Sequence, residues 1–302
     1  LDLEMPELDG FSVLRWAMAH APLPVVVCSG QSQRESVFRA LEAGAVDFIT
    51  KPELRHAVRS ETFAAELRQR VEAAAGAGHF APAATPHARR TQDTASVVAA
   101  TQLARSTGRR ARLAAIVGSA GAPAAVTRLI SELRTDFAAP VVVALHMPQG
   151  FTRSFAERLA RTSSFSVREA RDGEPLSPSQ IYIAPGGQHT TVVRADDESE
   201  GALMLRVEPT AEGDFCAPSA DRLLRSAAEA CGRGALGVVL TGMGEDGREG
   251  ARALRERGAT VIVESRASAV IWGMPRAVYE AGLADAEFDL SAIAVAIPLL
   301  CK

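Results

Sequence analysis

Three residues that could act together chemically each follow a strand-like run. Leu113-Ala114-Ala115-Ile116-Val117 leads into Gly118-Ser119-Ala120-Gly121, and Val141-Val142-Val143-Ala144-Leu145 leads into His146. Gly237-Val238-Val239-Leu240-Thr241 leads into Gly242-Met243-Gly244-Glu245-Asp246-Gly247. In an open parallel sheet the carboxyl ends of the strands share one edge, and ligands bind there. A serine, a histidine and an aspartate thus reach one edge from three separate strands. Such a set suits acyl transfer. A serine hydroxyl needs an adjacent imidazole to take its proton, and the imidazole needs a carboxylate to fix its tautomer and stabilise its charged form. Pro123 suits the first turn of a helix just after Ser119, and the free N–H groups of a helix start can help hold a developing oxyanion. Taken singly, each residue has an ordinary explanation. Ser119 could be a tight-turn residue, His146 a strand-end hydrogen-bonding group, and Asp246 the N-cap of a helix over 247–257. Their joint arrival at three strand ends is what favours chemistry.

The elements that must position them alternate along the chain. Residues 1–76 read as β–α–β–α, with strands over 24–28 and 45–49 and helices over 32–43 and 61–75, an order that implies a parallel sheet. From 77 to 112 the texture changes: Pro82, Pro86, six arginines and one aspartate occur with hardly any large apolar residues. Such a stretch cannot offset its ordering entropy by burial, so it reads as a linker. From 113 to 302 the α/β pattern returns. Strands are predicted over 113–117, 140–145, 166–170, 180–184, 190–194, 203–208, 236–241 and 259–264. Helices are predicted over 123–134, 152–162, 219–231, 247–257, 275–282 and 290–300. Residues 190–208 read as a hairpin with an acidic tip, Asp196-Asp197-Glu198-Ser199-Glu200. The expected fold is a doubly wound, mostly parallel α/β sheet carrying a β-hairpin, preceded by a smaller α/β unit.

Bulk properties narrow the classes. The 302 residues, 47% of them apolar, can bury two cores. A net charge of −3 gives no global attraction to nucleic acid or an anionic membrane. No stretch has the length of a membrane span. Cys28, Cys216, Cys231 and Cys301 lie far apart without a CxxC pair, which suits reduced thiols in a cytoplasmic protein.

Across 113–302 the landmarks match one family along nearly the whole length. They are Gly118-Ser119-Ala120-Gly121, then His146-Met147-Pro148-Gln149-Gly150-Phe151-Thr152-Arg153-Ser154-Phe155-Ala156-Glu157-Arg158-Leu159, then Tyr182-Ile183-Ala184-Pro185-Gly186 with His189. Pro218-Ser219-Ala220-Asp221, Leu240-Thr241-Gly242-Met243-Gly244-Glu245-Asp246-Gly247 and Gly273-Met274-Pro275-Arg276 follow. This region resembles the catalytic domain of chemotaxis protein-glutamate methylesterases. The resemblance implies Ser119 as nucleophile, His146 as base, Asp246 as orienting carboxylate and the Met243 N–H as an oxyanion donor. It also implies hydrolysis of glutamate γ-methyl esters on chemoreceptors, deamidation of receptor glutamines by the same route, and no catalytic cofactor. Departures are local. Val117, Ala120 and Ala122 replace a Gly, a Thr and a Gly of the family's turn, and Cys216 stands where the family commonly has histidine.

Leu1-Asp2-Leu3-Glu4-Met5-Pro6-Glu7-Leu8-Asp9-Gly10 resembles the phosphoacceptor stretch of response-regulator receivers. Asp2 then matches the phosphorylated aspartate, Ser29 the switch hydroxyl, and Lys51, before Pro52, the lysine that contacts the phosphoryl group. Lys51 is also informative physically: only two lysines stand among 31 arginines, and a compact ammonium at a strand end suits a point contact. The acidic pair that binds Mg²⁺ in receivers, and the strands and helix before Asp2, are not in the sequence. Residues 1–76 are therefore expected to be a truncated receiver with no metal site of its own, Mg²⁺ serving only the phosphorylation of a complete one. The implied partners are methyl-accepting receptors as substrate and a chemotaxis histidine kinase as phosphodonor, without nucleic acid or membrane insertion.

Two other readings compete. Gly242-Met243-Gly244-Glu245-Asp246-Gly247 is literally GxGxxG, with Glu264 about 20 residues on, as in dinucleotide-binding folds. Yet Glu245 and Asp246 would face pyrophosphate, a repulsion costing on the order of a kcal/mol or more at ~4–6 Å, and the motif falls late in the domain. The other is a non-catalytic receptor-binding module of the same fold, supported only by the altered turn at Ser119.

Overall fold

The computed structural model describes residues 1–5, 7–30, 34–52, 58–76, 94–108, 110–135, 137–195, 201–211, 214 and 216–301. The acidic hairpin tip at 196–200 and the first part of the expected linker, 77–93, lie outside them. The chain divides into two compact units, Leu1–Arg90 and Thr91–Lys302.

In the first unit α1 (Gly10–His20), β1 (Val26–Ser29), α2 (Arg34–Glu42), β2 (Asp47–Thr50) and α3 (Val58–Ala75) follow one another. The two strands pair in parallel, Val26 against Asp47 through Ser29 against Thr50, and Asp2 bridges to Cys28 in the same sense. Helix α1 was not expected from the pattern. Its signal is the cap: the Asp9 side chain accepts from the Ser12 N–H at 3.0 Å, and Leu14 is fully buried beneath it.

The second unit opens with α4 (Thr94–Thr107), inside the region expected to be a linker over 77–112. The correction has a packing cause. The last helix, α10 (Leu290–Leu300), is apolar nearly all round, with Leu290, Ile293, Ala294, Ala296, Ile297 and Leu300 buried, so it needs cover on more than one side. Helix α4 packs on it, with Ala100 buried and Val97, Thr101 and Ala104 half-buried at i, i+4 and i+7. A stripe that small is invisible to a search for large apolar residues.

The remaining elements are β3 (Leu113–Gly118), α5 (Ala122–Glu132), β4 (Val141–Leu145), α6 (Phe151–Thr162), β5 (Ser166–Glu169) and β6 (Gln180–Ile183). After them come β7 (Gln188–Arg194), β8 (Leu203–Pro209), α7 (Ala220–Cys231), β9 (Ala235–Val239), α8 (Arg248–Glu256), β10 (Thr260–Glu264), α9 (Met274–Glu280) and β11 (Ala286–Phe288). The predicted strands and helices of this region all form. Three-residue β11 was missed, being too short to carry a pattern. Seven strands make one sheet in the order β11-β10-β9-β3-β4-β6-β5, every pairing parallel. Strands β3, β4, β9 and β10 are buried throughout, as strands covered on both faces must be, which is why β3, β4 and β9 read as apolar runs and β10 is apolar between Thr260 and Glu264. On one face α7, α8 and the antiparallel β7–β8 hairpin close a core built on Leu113, Ala115, Val117, Val239 and Leu254. The chain leaves β3 for β4 on one side and returns to β9 on the other. That order makes the carboxyl end of β3 the topological switch point of the sheet. Among the described residues no helix is long and apolar enough to cross a membrane.

Candidate active site

Ser119 sits one residue beyond β3, where the backbone must turn sharply into α5. Gly121 makes that turn at φ +80°, and a Cβ there would meet Val270 Cβ at 2.9 Å and Thr241 Oγ1 at 3.1 Å. The turn is tied to the end of β9: Ser119 N–H donates to Thr241 O at 3.0 Å. Gly242 passes so close that an added Cβ would meet Ser119 N at 2.9 Å and Ser119 Cβ at 3.0 Å, so only glycine lets the two loops touch. On the other side His146 N–H donates to Gly118 O at 3.2 Å, extending the β3–β4 register to the histidine. Next along the β9 loop is Met243, half-buried, whose N–H donates to no acceptor among the described residues.

A buried prop holds this loop from below. Thr241 Oγ1 donates to Ala120 O at 3.0 Å and accepts from Ile271 N at 2.9 Å. Thr241 N–H donates to Glu264 Oε2 at 2.8 Å, while Ser268 Oγ donates to the other Glu264 oxygen at 2.7 Å. Burial pushes the Glu264 carboxyl up. The acid that would have contacted a ribose in the dinucleotide reading is instead a fully enclosed support of the Ser119 turn.

Asp246 and His146 meet directly, Nε2 to Oδ2 at 2.9 Å. The carboxylate is also held by four further donors. Ala220 N–H (2.7 Å) and the Cys216 thiol (3.2 Å) reach Oδ2, while Asp221 N–H (2.9 Å) and Ser219 Oγ (3.2 Å) reach Oδ1. Asp246 is therefore not the N-cap of its own helix; Gly247 is, at φ +102°. Asp246 crosses to satisfy the start of α7, and Asp221, from the start of α7, accepts from Gly247 N (2.9 Å) and Gly250 N (2.7 Å) at the start of α8. Two helices thus exchange caps, each satisfying N–H groups that its neighbour leaves unpaired. Burial would raise the Asp246 carboxyl, but the His146 hydrogen bond and charge and the N–H groups of Asp221 and Ala220 outweigh it and hold it well below the usual carboxylate range. Burial has the upper hand at Cys216, whose thiol is pushed up to about 12 with the Asp246 charge adding to the effect, so it stands as a neutral donor.

One more histidine fixes the Pro218-Ser219 segment. His189, 1% exposed, bonds Asp214 Oδ2 through Nε2 at 2.8 Å and accepts from Ser219 N–H through Nδ1 at 3.2 Å. Arg222 completes the cluster on Asp214 at 2.8 Å. Asp221, Ser219, Cys216 and His189 all lie within the motifs singled out in the sequence, yet their work there was not legible: each acts on a partner 25 to 30 residues away.

The expected residues are therefore partly joined. His146 is bonded to Asp246, and Ser119 stands at the adjoining strand end with an Oγ that has no hydrogen-bond partner among the described residues. Since Nε2 is committed to Asp246, Nδ1 is the ring nitrogen left for a serine proton. In apo sites the nucleophile–base bond is often long and closes only with substrate.

In the first unit Lys51 Nζ meets Asp2 Oδ2 at 2.5 Å, and Glu4 N–H donates to Asp2 Oδ1 at 3.1 Å. The Lys51 hydrogen bond foremost holds the Asp2 carboxyl below its ordinary value. Ser29 is fully buried at the end of β1, and its carbonyl accepts from Lys51 N–H at 2.9 Å. Mg²⁺ demands a near-octahedral oxygen shell. Asp2, with one oxygen engaged by an ammonium, does not fit that ion by itself.

Comparison with known proteins identifies the families of the two regions. Residues 114–297 match the CheB methylesterase family and residues 1–61 the response regulator receiver domain. The protein-glutamate methylesterase/protein-glutamine glutaminase 1 of Myxococcus xanthus (strain DK1622) is 42% identical over 306 residues, covering 100% of this chain and 83% of its own. The protein-glutamate methylesterase/protein-glutamine glutaminase 6 of Anaeromyxobacter dehalogenans (strain 2CP-C) is 41% identical over 97% of this chain and 79% of its own. The crystal structure of the Thermotoga maritima CheB methylesterase catalytic domain superposes with a TM-score of 0.57 at 36% identity, over 63% of this chain and 97% of that one. The chain belongs to the CheB methylesterase family, with a response-regulator receiver domain at its amino-terminal end.

Proposed function

We propose that this chain hydrolyses glutamate γ-methyl esters on chemoreceptors through Ser119, His146 and Asp246. Ser119 Oγ attacks the ester carbonyl carbon as His146 Nδ1 takes its proton. The oxyanion that forms is met by the Met243 N–H, which donates to no acceptor among the described residues. Collapse expels the methoxy group, which takes the proton from His146 and leaves as methanol. Water, deprotonated by the same imidazole, then attacks the acyl-enzyme and releases the glutamate carboxylate and the serine. Asp246 remains ionised throughout, steadying the imidazolium. A receptor glutamine would follow the same route with ammonia as leaving group.

The observation that carries the reading is the His146–Asp246 bond, with the carboxylate locked by five donors at the sheet edge that also presents Ser119 and the Met243 N–H. The relatives' names support the same substrate class. We further infer that Asp2 accepts a phosphoryl group from a chemotaxis histidine kinase, with Lys51 and Ser29 sensing it, and that this event controls the esterase. Catalysis needs no cofactor in this scheme, and the setting is the cytoplasm.

Methanol release from methylated receptor membranes tests the proposal. Ser119→Ala and His146→Ala should each lower the rate at least ~10³-fold, because triad members act as a unit. A Ser119→Ala variant that keeps most of the activity would refute the assignment. A wild-type chain that binds receptors yet releases no methanol would return the non-catalytic binding module.

A further inference from the structure

Cys216 takes no proton and forms no bond to substrate in the acyl-transfer scheme, yet its thiol bonds the carboxylate that orients the base. Its Sγ is 3.2 Å from Asp246 Oδ2, which is 2.9 Å from His146 Nε2. One ligand atom from each of these residues lies within 4.8 Å of the others. Thiolate, imidazole and carboxylate are the donor set of a zinc-type site, with metal–ligand lengths of ~2.0–2.3 Å. Ligand atoms around such an ion stand ~3–4 Å apart, so small side-chain shifts would suffice. His146 and Asp246 keep 18% and 16% of their side-chain surface exposed, which leaves an ion a way in.

We propose that His146, Cys216 and Asp246 form an inhibitory site for a thiophilic divalent cation such as Zn²⁺. The consequence for turnover rests on the proposed triad; the binding itself does not. Charge and protons balance without any redox partner. The incoming dication meets one carboxylate and one thiolate, the thiol proton leaves to solvent, and the result is neutral. To ligate through Nε2, the imidazole moves its proton from Nε2 to Nδ1. Nδ1 then carries hydrogen and cannot accept the Ser119 proton, so the esterase is silenced while its serine stays untouched. Three protein ligands leave the fourth position open to water, which suits reversible occupancy. Sulfur at position 216 favours zinc over harder cations such as Mg²⁺.

The test uses the full chain and Zn²⁺ itself. Competition against a zinc-binding dye should show one ion per chain for wild type and for Ser119→Ala alike. Cys216→Ala and Cys216→Ser should each weaken that binding at least ~10-fold, the lower end of what losing even an outer-shell partner costs a metal site. The serine variant keeps a hydroxyl donor toward Asp246, which guards against misfolding. Co²⁺ should give a thiolate charge-transfer band with wild type and none with either variant. Zn²⁺ should stop methanol release, EDTA should restore it, and each Cys216 variant, scaled to its own zinc-free rate, should resist zinc. Zinc binding unaltered by both Cys216 substitutions would overturn the site. A wild type silent without any metal would sink the triad instead, and the dye competition would still decide the site.

Discussion

Two aspartates at strand ends, one in each unit, are held in opposite ways. Asp2 is 31% exposed, touches Lys51, itself 42% exposed, and takes one backbone N–H. Asp246 is 16% exposed and is gripped by an imidazole, a thiol, a hydroxyl and two helix-start N–H groups. A carboxylate that is to form a bond must offer an oxygen to an incoming group, and a loosely held one can. A carboxylate that is to orient another group must not move, and its protonation must not vary. In the proposed scheme the same residue type thus serves as acceptor or as fixture according to how many donors surround it.

The comparison can be broken in several places. Asp2→Asn should abolish whatever phosphoryl uptake the chain shows from acetyl phosphate, because no other carboxylate among the described residues pairs with Lys51. Radiolabel persisting on the variant would deny Asp2 the role of acceptor. Asp246→Asn keeps the shape but reverses the hydrogen-bond sense toward His146. It should cost on the order of 10³–10⁴ in methanol release, as tautomer loss does in serine hydrolases. A fall of only a few-fold would mean that the carboxylate merely caps α7. Asp221→Ala removes the return cap from α8, the helix that begins beside Asp246. It should lower stability by about 1–2 kcal/mol in urea titrations and slow turnover by up to ~10²-fold through misplacement of the base. An unchanged rate would show that the exchanged caps do not position the site.

The smallest effect is in pH. The folded Asp246 carboxyl lies below its unfolded value, so its stabilisation is present above the unfolded value and is lost as pH falls through the folded one. The urea-midpoint gap between wild type and Asp246→Asn should therefore stay constant through neutral and mildly acid pH and close only in strong acid. Glu264 runs the other way. Burial raises its carboxyl, so its contribution is full below the unfolded value and is lost as pH rises through the folded one. Glu264→Gln should accordingly gain on wild type as pH climbs from acid to neutral, and a gap independent of pH would contradict the assignment.

Much of this was legible in sequence where burial is total. Strands β3, β4 and β9 are apolar at every position because helices cover both faces, and their ends announce Ser119, His146 and the Asp246 loop. Helix α4 was not legible, since the residue it buries fully is Ala100 and no stripe of large apolar side chains marks its covered face. Nor was α1, whose amphipathic signal is weak beside its cap. The site's inner supports were hidden for another reason. Asp246 sits where the helix predicted over 247–257 would take its N-cap, and nothing local reveals that it caps α7 while Asp221 caps α8. Such an exchange exists only once the two helices lie side by side.

The central claim is that Ser119 is a nucleophile made reactive by an imidazole that Asp246 holds in place. Labelling with a serine-directed fluorophosphonate, followed by peptide mapping, tests it most directly. A single adduct on Ser119, formed far more slowly in His146→Ala and Asp246→Asn, is the expected result. An adduct on Ser219 or another serine, or Ser119 labelling indifferent to both substitutions, would contradict the account.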